Sequence, residues 1–433
     1  MKVKKRIVVA GAGLAGLSAA WHLQKKGIEC LVFEKEAEPG GLCRSKKIGG
    51  FTFDYDGHLL HFKHRYVFDL VRGLFGDDLV KHERSSWIFS CGRYTRYPFQ
   101  ANLYGLPPRI LEECLSGFIR AQAQTRCGRS SDFLDWIENV FGKGIARHFM
   151  IPYNTKFWTV PPQKLTCEWL EGIVPVPSRS QIIEGAAEES CEQLGYNVHF
   201  WYPRKGGIQQ LPAALARQVK NIRMKSQISE IDLIKKEVVT SSGYREKFDH
   251  LISTFPLPEM ALKIKGLPAL IKAAFDKLRW NSVFNLNLGI EGKDTHQRHW
   301  VYFPQKDVSF FRVGFPHNFS SDVTPANGRS LYTEVAYSPS RPIRKQGIAA
   351  RIIHDLKKTG ILSGRDKIRV RDINDIEYGY PIYDRNYKKS RERIVKFLTE
   401  RGVVPCGRYG SWRYMSMEDA ILDGRRVAEA LTR

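Results

Sequence analysis

A glycine-rich turn between an apolar strand and a helix constrains the fold of this chain more than any other feature. Gly11, Gly13 and Gly16 form the pattern G-x-G-x-x-G in "KRIVVAGAGLAGLSAAWHLQKKGIECLVFEK". The apolar run Ile7–Ala10 precedes the turn, and a helical pattern over residues 14–23 follows it. Gly11 permits the turn, Gly13 lets backbone amides approach a pyrophosphate, and Gly16 lets the helix pack against the strand. The pattern predicts a unit that binds a dinucleotide.

The second half of this unit ends on an acidic residue at the position that contacts a ribose. Gly27 ends the helix, and the strand-like run Cys30–Phe33 leads to Glu34. A carboxylate there accepts hydrogen bonds from ribose hydroxyls, while the helix N-terminus supplies partial positive charge to the phosphate. A glycine-rich turn without a nucleotide is the alternative, but strand, helix, second strand and acid all fall at the expected spacing.

Three separated segments resemble parts of a single cofactor domain. "EKEAEPGGLCRS", with Gly41 and Arg44, resembles the segment that approaches the FAD phosphates in glutathione-reductase-type and amine-oxidase-type flavoproteins. "FDHLISTFPL" (248–257) resembles the strand that returns to the cofactor domain in those families. "MEDAILDGRRVAEAL" (417–431), which includes Glu418, resembles their last helix, whose N-terminus faces the flavin. The resemblance implies FAD as the cofactor.

Length and cysteine usage limit the class of protein. At 433 residues the chain exceeds the size at which one core keeps growing, so two or three domains are expected. No apolar run reaches the roughly 18–20 residues that span a bilayer. The eight cysteines contain no C-x-x-C pair and are expected to be reduced. Because no cleavage site follows the basic start, we expect a cytoplasmic protein.

The chain is strongly basic, with 68 Lys and Arg against 45 Asp and Glu and a net charge of +23. Such a balance implies an anionic partner, which is a phosphorylated small molecule, a nucleic acid or an acidic membrane face. The runs "RPIRK" (341–345) and "DRNYKKSRERIVKF" (384–397) carry no nucleic-acid-binding motif, so no nucleic acid is expected. Most of the charge is expected to be solvated, and peripheral contact with an anionic membrane stays open.

Motifs through the rest of the chain resemble one flavoenzyme family. In chain order they are "DGHLLHF" (56–62), "YPFQANL" (97–103), "PYNTKFWTVPPQKL" (152–165), "YPRKGGIQQL" (202–211), "FFRVGFPHNFS" (310–320), "YGYP" (378–381) and "GRYGSWRY" (407–414). Together they are similar to the UDP-galactopyranose mutase family over essentially the whole chain.

This resemblance implies an enzyme that interconverts the pyranose and furanose forms of a UDP-hexose. N5 of reduced FAD would attack the anomeric carbon while UDP leaves, so that a covalent adduct forms and no net redox occurs. A reductant must then keep the FAD reduced. The resemblance also implies a role in cell-surface polysaccharide biosynthesis, and it leaves the oligomeric state open.

The resemblance assigns a diphosphate clamp to side chains from distant segments. Arg312 and Arg408 resemble the two arginines that grip the diphosphate in the family, and a guanidinium fork suits phosphate oxygens. Tyr380 and Tyr414 resemble the two tyrosines whose hydroxyls donate to the same group. The arginines are expected to be catalytic, because they would stabilise the charge that develops on the departing diphosphate.

Two further motifs are predicted to bind the rest of the substrate. Tyr97, Phe99 and Gln100 in "YPFQ" are predicted to bind uridine, because a stiff aromatic face suits a base and an amide can contact the uracil edge. Core aromatics beside a turn are the alternative for this motif. The resemblance places Asn154 and Trp158 near the sugar pocket, whereas a packed helix end would also explain both residues.

A histidine loop is predicted to lie beside the flavin. His58 resembles the family histidine on a loop that responds to the redox state, and it is expected to be catalytic. Gly57 and Gly407 are predicted to make room for the cofactor. The spacing in "HLLHFKH" fits no common zinc pattern, so no metal is expected.

The sequence departs from the family pattern at three places. Asp56-Gly57-His58 stands where the family has Gly-Gly-His. The arginine of the family's mobile loop falls near Ile173, although Arg179 follows six residues later. After "SWRY" the sequence continues "MSMEDA", so an asparagine expected there is absent. These changes surround the sugar and the flavin edge, and the identity of the sugar stays open.

We expect an α/β fold in three parts. The parts are a Rossmann-like FAD-binding domain (1–90, 200–262 and 400–433), a helical insertion (91–199) and an antiparallel-sheet substrate domain (263–399). An FAD-dependent oxidase of the amine or protoporphyrinogen oxidase type is the main alternative, and it would need an apolar substrate tunnel and turnover with oxygen. A flavin-binding scaffold without catalysis is a third hypothesis.

Overall fold

Two sheets, one parallel and one mostly antiparallel, form the framework of the protein. The computed structural model describes residues 5–123, 130–170, 172–189, 194–195, 198–294 and 296–432. The predicted α/β class is confirmed. Two cysteines, Cys127 and Cys191, lie outside the described residues, and the other six are free thiols.

The parallel sheet contains the predicted βαβ unit. Its strands lie in the order Val403–Pro405, His250–Ser253, Ile7–Ala10, Cys30–Phe33 and Ile222–Arg223. Because all neighbouring strands are parallel, their carboxyl ends share one edge, and the glycine-rich turn begins there. The strands come from well-separated parts of the chain.

Helices from both ends of the chain pack on this sheet and on each other. Helix Leu14–Lys25 lies against helix Met417–Thr432 at a small-residue crossing. A Cβ atom on Gly424 would lie 2.4 Å from the carbonyl oxygen of Ala15, so the backbones approach closely only because this residue is glycine. The Ser18 hydroxyl donates to the Ile421 carbonyl at 2.6 Å, which fixes the crossing further.

The second sheet has seven strands. They lie in the order Ile368–Pro381, Trp280–Glu291, Gly328–Tyr337, Arg312–Gly314, Trp300–Tyr302, Ser86–Ser90 and Arg93–Arg96. Only the contact between Trp300–Tyr302 and Ser86–Ser90 is parallel within this sheet. Two strands from the N-terminal quarter of the chain thus complete a sheet built from later residues, and the predicted domain boundaries stay a prediction.

The segment of residues 108–187 is mainly helical. Its helices are Pro108–Ala123, Phe133–Ile145, Ala146–Met150 (a π-helix), Ile151–Trp158 and Arg179–Ala187. Asp132 caps the second helix, since its carboxylate accepts from the amide of Asp135 at 3.1 Å. Phe133, Ile137 and Phe141 of that helix are fully buried in the largest hydrophobic core.

Smaller elements complete the structure. The strands are Ser45–Ile48 with Phe51–Asp54, Leu79–Glu83 with His199–Pro203, and Ile228–Asp232, Glu237–Thr240 and Arg245–Lys247 as a three-stranded sheet. The further α-helices are Arg65–Phe75, Gln210–Ala216, Leu257–Lys263, Ala269–Phe275, Ile348–Lys358, Tyr387–Thr399 and Gly407–Gly410. The 3₁₀ turns are Gly76–Asp78, Phe99–Ala101, Pro162–Lys164, Pro316–Asn318 and Ser321–Val323. Among the described helices, none combines the length and apolar character needed to cross a membrane.

The helix crossing at Gly424 gives a stability prediction. Gly424→Ala should lower the free energy of unfolding by about 1–3 kcal/mol, because the added methyl has no room against Ala15 and Ser18. Chemical denaturation of the FAD-loaded protein measures the change.

Gly73→Ala is the matched control for this change. Gly73 lies in helix Arg65–Phe75, and a Cβ atom there would meet no atom within 4 Å. Alanine should therefore stabilise that helix by roughly 0.5–1 kcal/mol. Equal effects of the two substitutions would contradict a tight crossing at Gly424.

Candidate active site

The glycine-rich turn is shaped for close approach by an anion. Gly11 has φ +106°, and a Cβ atom on it would lie 2.2 Å from the hydroxyl of Thr254. A Cβ atom on Gly13 would lie 3.9 Å from the Cα atom of Gly41, so the turn and the following loop form a narrow cradle. Helix Leu14–Lys25 has no side-chain cap and no acidic residue in its first turn. Its first backbone N–H groups are therefore suited to a pyrophosphate.

Glu34 and Arg44 both lie at this cradle, as predicted for contacts with the cofactor. The carboxylate of Glu34 is buried and accepts from the amides of Ala12 at 2.7 Å and Glu36 at 3.0 Å. Arg44 donates through Nε to the carbonyl of Gly41 at 2.8 Å. Its guanidinium also lies 3.2 Å from the carboxylate of Glu36. The structure thus brings an acid and a base from the sequence signature to the same turn.

The C-terminal part of the chain closes on the same turn. Gly407 has φ +75°, and a Cβ atom on it would lie 2.4 Å from the Cβ of Ala15. Gly16 also packs without space, because its Cβ atom would lie 2.0 Å from the carbonyl of Gly11. The space around the turn is therefore so narrow that a side chain at Gly16 or Gly407 would clash with its neighbours.

Glu418 has partners within the protein. Its carboxylate is buried and accepts from the amides of Lys63 at 2.9 Å and His64 at 2.8 Å, where helix Arg65–Phe75 begins. These bonds satisfy backbone donors that a helix N-terminus leaves without partners. The predicted contact of Glu418 with the cofactor stays a prediction.

A cavity of about 160 Å³ collects most of the residues predicted to bind substrate. Seven of the nine line it, namely Tyr97, Gln100, Asn154, Trp158, Arg312, Tyr380 and Tyr414. The other two lie behind this lining. Phe99 is fully buried and stacks on Phe149, while Arg408 packs against Tyr380 and Tyr414. Side chains from well-separated segments therefore meet in one place.

Arg408 lies among three tyrosine rings. Its guanidinium carbon is 4.5 Å from the ring centre of Tyr380, 5.1 Å from that of Tyr414 and 5.5 Å from that of Tyr409. One terminal nitrogen donates to the carbonyl of Gly379 at 2.8 Å. The Nε atom is buried and has no hydrogen-bond partner among the described residues. A buried charged donor without a partner is costly, so this atom is suited to an oxygen of an anionic ligand.

Arg312 is held by a buried acid that the sequence analysis did not predict. Glu334 is directly opposite on the neighbouring strand, and both of its oxygens accept from Arg312, one of them at 2.6 Å from Nη2. Burial disfavours the charge on Arg312, but Glu334 together with Tyr332 and Tyr380 outweighs burial and keeps the pKa of Arg312 well above its ordinary value. The ion pair fixes the guanidinium at the wall of the cavity.

Asp56 adds a second carboxyl group to this ion pair. Burial, followed by the charge of Glu334 and a hydrogen bond to it, raises the pKa of Asp56 well above its usual range. These causes favour the protonated form of Asp56. Where the resembled family has glycine, this chain places a carboxyl group that interacts electrostatically with Arg312 and Glu334.

His58 is neutral and lies close to both arginines. Its Nδ1 atom is 3.1 Å from the carbonyl oxygen of Asp56. Burial lowers the pKa of His58 to about 4, and the charges of Arg408 and Arg312 contribute to this direction. A Cβ atom on Gly57 would lie 2.2 Å from the Tyr332 hydroxyl, so this glycine lets the loop pass over that ring. The charges of the two other predicted catalytic residues thus act on His58.

A ladder of aromatic rings forms one wall of the cavity. Phe149, Tyr153 and Phe157 recur every fourth residue, and their rings stack at 5.3 and 6.2 Å between centres. Tyr302 meets Tyr153 edge-on at 5.5 Å. The sequence analysis missed these residues, although the spacing of four in "FMIPYNTKFW" signals one helix face. The wall suits a planar ring.

Trp158 and Asn154 differ in how they use their polar atoms. Asn154 donates to the carbonyl of Met150 at 2.8 Å, which is the bond expected of a packed helix residue. Trp158 is nearly fully buried, and its Nε1 atom has no partner among the described residues. Trp158 therefore offers a donor to a ligand in the cavity.

An apolar loop lies where the resemblance expects a mobile arginine. Ile173, Val174 and Pro175 line the cavity, whereas Arg179 is exposed at the start of helix Arg179–Ala187. Gln100 donates from its side-chain amide to the carbonyl of Pro175 at 2.7 Å. Gln100 thus ties this loop to the cavity wall, which limits the predicted contact with uracil to its remaining polar atoms.

A comparison with known families accounts for the cofactor half of this arrangement. A model of the family "Flavin containing amine oxidoreductase" matches residues 14–432. The chain belongs to this family. The FAD prediction is thereby confirmed, and the narrow glycine cradle at a helix N-terminus fits the diphosphate of that cofactor.

Solved structures extend the similarity to the whole chain. The crystal structure of reduced UDP-galactopyranose mutase matches with a TM-score of 0.95 and 28% identity, over 99% of this chain and 94% of that one. The predicted resemblance to a mutase-like flavoprotein is therefore confirmed. Putrescine oxidase bound to putrescine matches over the full length of both chains with a TM-score of 0.68 and 16% identity, which shows the fold alone.

Curated relatives match over short stretches. The zeta-carotene-forming phytoene desaturase of Myxococcus xanthus is 50% identical over 50 residues, which are 12% of this chain and 10% of the desaturase. The 1-hydroxycarotenoid 3,4-desaturase of Flavobacterium sp. is 38% identical over 73 residues, which are 17% of this chain and 14% of that enzyme. The chain thus matches about a tenth to a seventh of these relatives' length.

The Arg312–Glu334 pair gives a second prediction. Glu334→Gln should lower the free energy of unfolding by about 3–5 kcal/mol, because it leaves the buried charge of Arg312 without its counter-charge. Chemical denaturation at pH 7 measures this loss.

Asp56→Asn is the matched control, because asparagine keeps the shape of Asp56 and cannot ionise. An unfolded aspartate ionises near pH 4, whereas folded Asp56 holds its proton to a much higher pH. The folded state therefore binds more protons, and this group makes stability fall as the pH rises above about 4. Asp56→Asn should remove that fall. A loss at pH 7 as large as that of Glu334→Gln would contradict the assignment.

Proposed function

We propose that the protein is a flavin-dependent mutase that interconverts the pyranose and furanose forms of a UDP-hexose without net redox. The observation that carries the proposal is the cavity where Arg312, Tyr380 and Tyr414 meet, with Arg408 packed behind the two tyrosines. The whole-chain similarity to reduced UDP-galactopyranose mutase supports it.

The cationic end of the cavity suits a diphosphate. Arg408 has a buried Nε donor with no partner in the described part of the chain, and Arg312 keeps further N–H groups beyond the two that bind Glu334. Burial is the main cause that raises the pKa of Tyr380, so its phenol stays protonated and can donate. The rings of Tyr380 and Tyr414 stack at 6.0 Å, and both residues line the cavity.

The aromatic end of the cavity suits the base. The rings of Phe149, Tyr153 and Phe157 line this end of the cavity, and their apolar surface suits a uracil ring. The Nε1 atom of Trp158, which has no partner among the described residues, is a donor for the sugar or the base. A nucleotide sugar would thus lie along the cavity with its diphosphate at the arginines.

The chain's own residues position the substrate and stabilise the charge on its diphosphate, and none of them is proposed to attack the anomeric carbon. The glycine turn at Gly11 and Gly13 would hold reduced FAD, which would supply the nucleophile for substitution at the anomeric carbon. Arg408 and Arg312 stabilise the negative charge that develops on the departing diphosphate, and the buried cavity limits access of water. Neutral His58 lies close to both arginines and adds no competing cation.

The proposed setting follows from this chemistry. A reductant must keep the FAD reduced, and the free thiols of the described cysteines suit the reducing cytoplasm. A furanose product would supply cell-surface polysaccharide biosynthesis.

An FAD-dependent oxidase of the amine or protoporphyrinogen oxidase type is the second candidate. The apolar loop of Ile173, Val174 and Pro175 favours it, because such residues suit an apolar substrate. Two arginines beside the cavity disfavour a cationic amine, since like charges repel. The mutase is therefore the better explanation of the charged end.

Binding of UDP tests the clamp. Arg408→Ala should weaken UDP binding to the reduced protein by about 1.5–3 kcal/mol, the scale of a charged hydrogen-bond partner. Isothermal titration calorimetry measures the affinity. Arg413→Ala is the control, because Arg413 is about half exposed and lies 3.7 Å from Asp423 rather than at the cavity. Equal affinities in both variants would remove the clamp.

Turnover distinguishes the two candidates. Dithionite-reduced protein should convert a UDP-hexopyranose to its furanose form with no consumption of reductant per turnover. A panel of UDP-, GDP-, CDP- and TDP-sugars, analysed by chromatography, identifies the nucleotide. Stoichiometric hydrogen peroxide in air, with no isomerised sugar, would favour the oxidase.

A further inference from the structure

We propose that a basic and apolar face, formed by residues 233–236 and 262–272, attaches the protein to an anionic lipid bilayer. The two stretches read "LIKK" and "LKIKGLPALIK" and contain five lysines. Two of these lysines have acidic partners, since Lys263 lies 3.3 Å from Glu259 and Lys265 lies 2.7 Å from Glu230. This face is separate from the candidate active site, and the proposal does not depend on the proposed mutase activity.

The most exposed large apolar side chains of the described protein all lie on this face. Ile234 is 96% exposed, Leu262 is 84% exposed and Leu270 is 63% exposed. The next most exposed side chain of this kind, Val176, reaches 59% and lies elsewhere. Single exposed apolar residues are common, but three extreme cases on adjoining elements indicate a binding surface.

The fold joins the two stretches directly. Ile231 and Ile264 are buried and form a β-bridge, and Lys265 donates its amide to the carbonyl of Ile231 at 3.1 Å. These contacts anchor the bases of the two stretches side by side. Ile234 and Leu262 are therefore held on neighbouring elements and project into solvent.

The tip that carries Ile234 is an ordered turn. The carboxylate of Asp232 accepts from the amides of Ile234 at 3.0 Å and Lys235 at 2.8 Å. Hydrogen bonding to these amides lowers the pKa of Asp232, so the turn is fixed by an ionised carboxylate at neutral pH. A fixed turn presents Ile234 without a further ordering cost on binding.

Neighbouring helices extend the positive charge of the face. Helix Ala269–Phe275 carries Leu270 and Lys272, and it packs against helix Tyr387–Thr399. The latter helix exposes four cationic residues, Lys388, Lys389, Arg393 and Lys396. Glu392 is also exposed on this helix, so the helix adds a net positive charge next to helix Ala269–Phe275.

An anionic bilayer fits this combination better than another polyanion does. Apolar side chains enter the boundary between headgroups and acyl chains, while lysines contact lipid phosphates and anionic headgroups. A nucleic acid would use the lysines but would leave Ile234, Leu262 and Leu270 in water. Attachment of this kind is peripheral and needs no membrane-spanning helix.

Vesicle binding by the FAD-loaded full chain tests the proposal. In about 0.1 M KCl it should co-sediment with vesicles of phosphatidylcholine containing about 30% phosphatidylglycerol, and poorly with phosphatidylcholine alone. The triple variant Ile234→Ser, Leu262→Ser and Leu270→Ser keeps every charge. It should bind the anionic vesicles at least about tenfold more weakly, because it loses the inserted apolar area.

A second triple variant is the matched control. Ile48→Ser, Ile119→Ser and Ile373→Ser removes three apolar side chains that are 36%, 46% and 49% exposed elsewhere. It should bind anionic vesicles as the unchanged protein does. The visible flavin spectrum of each variant establishes that it is folded.

Three results would overturn the proposal. The first is no binding of the unchanged protein to anionic vesicles. The second is equal vesicle binding by the two triple variants, which would mean that net charge alone causes adhesion. The third is retention on double-stranded DNA without vesicle binding, which would assign the face to a nucleic acid.

Discussion

The ion pair between Arg312 and Glu334 sets the charge of the whole candidate site. Glu334 is fully buried and neutralises one of the two arginines. Burial raises the pKa of Asp56 well above its usual range and lowers that of His58 to about 4. Arg408 has no carboxylate partner of this kind among the described residues. Its guanidinium lies against three tyrosine rings, and its buried Nε donor has no partner among the described residues. This arrangement favours an anion of modest charge over a cation or an apolar molecule.

The sequence best predicts those parts of the structure that are formed by consecutive residues. The spacing of Gly11, Gly13 and Gly16 specifies a turn, and the structure has strand Ile7–Ala10 and helix Leu14–Lys25 around it. Contacts between residues from distant segments are harder to predict from sequence. The family resemblance identifies Arg312 but not its partner Glu334. In the strand "GRSLYTEVAY" a single acidic residue is expected to face solvent. Only the cross-strand register shows that this acid is buried opposite the arginine.

The sequence also does not show which aromatic residues line the cavity and which are buried in the core. The motif "YPFQ" drew attention to Phe99, which the fold buries completely behind the cavity. The wall itself is made by Phe149, Tyr153 and Phe157, whose spacing of four is compatible with any packed helix. A hydrophobic period says which side chains share a face, but it does not say whether that face meets a core or a cavity.

The crossing of the helices that carry Ser18 and Ile421 has a consequence for how the protein is made. These residues are 403 positions apart in the chain. During translation the glycine turn therefore leaves the ribosome long before the helix that packs beside it. Stable capture of the flavin nucleotide waits for that helix, and a polypeptide terminated before it would leave an incomplete pocket.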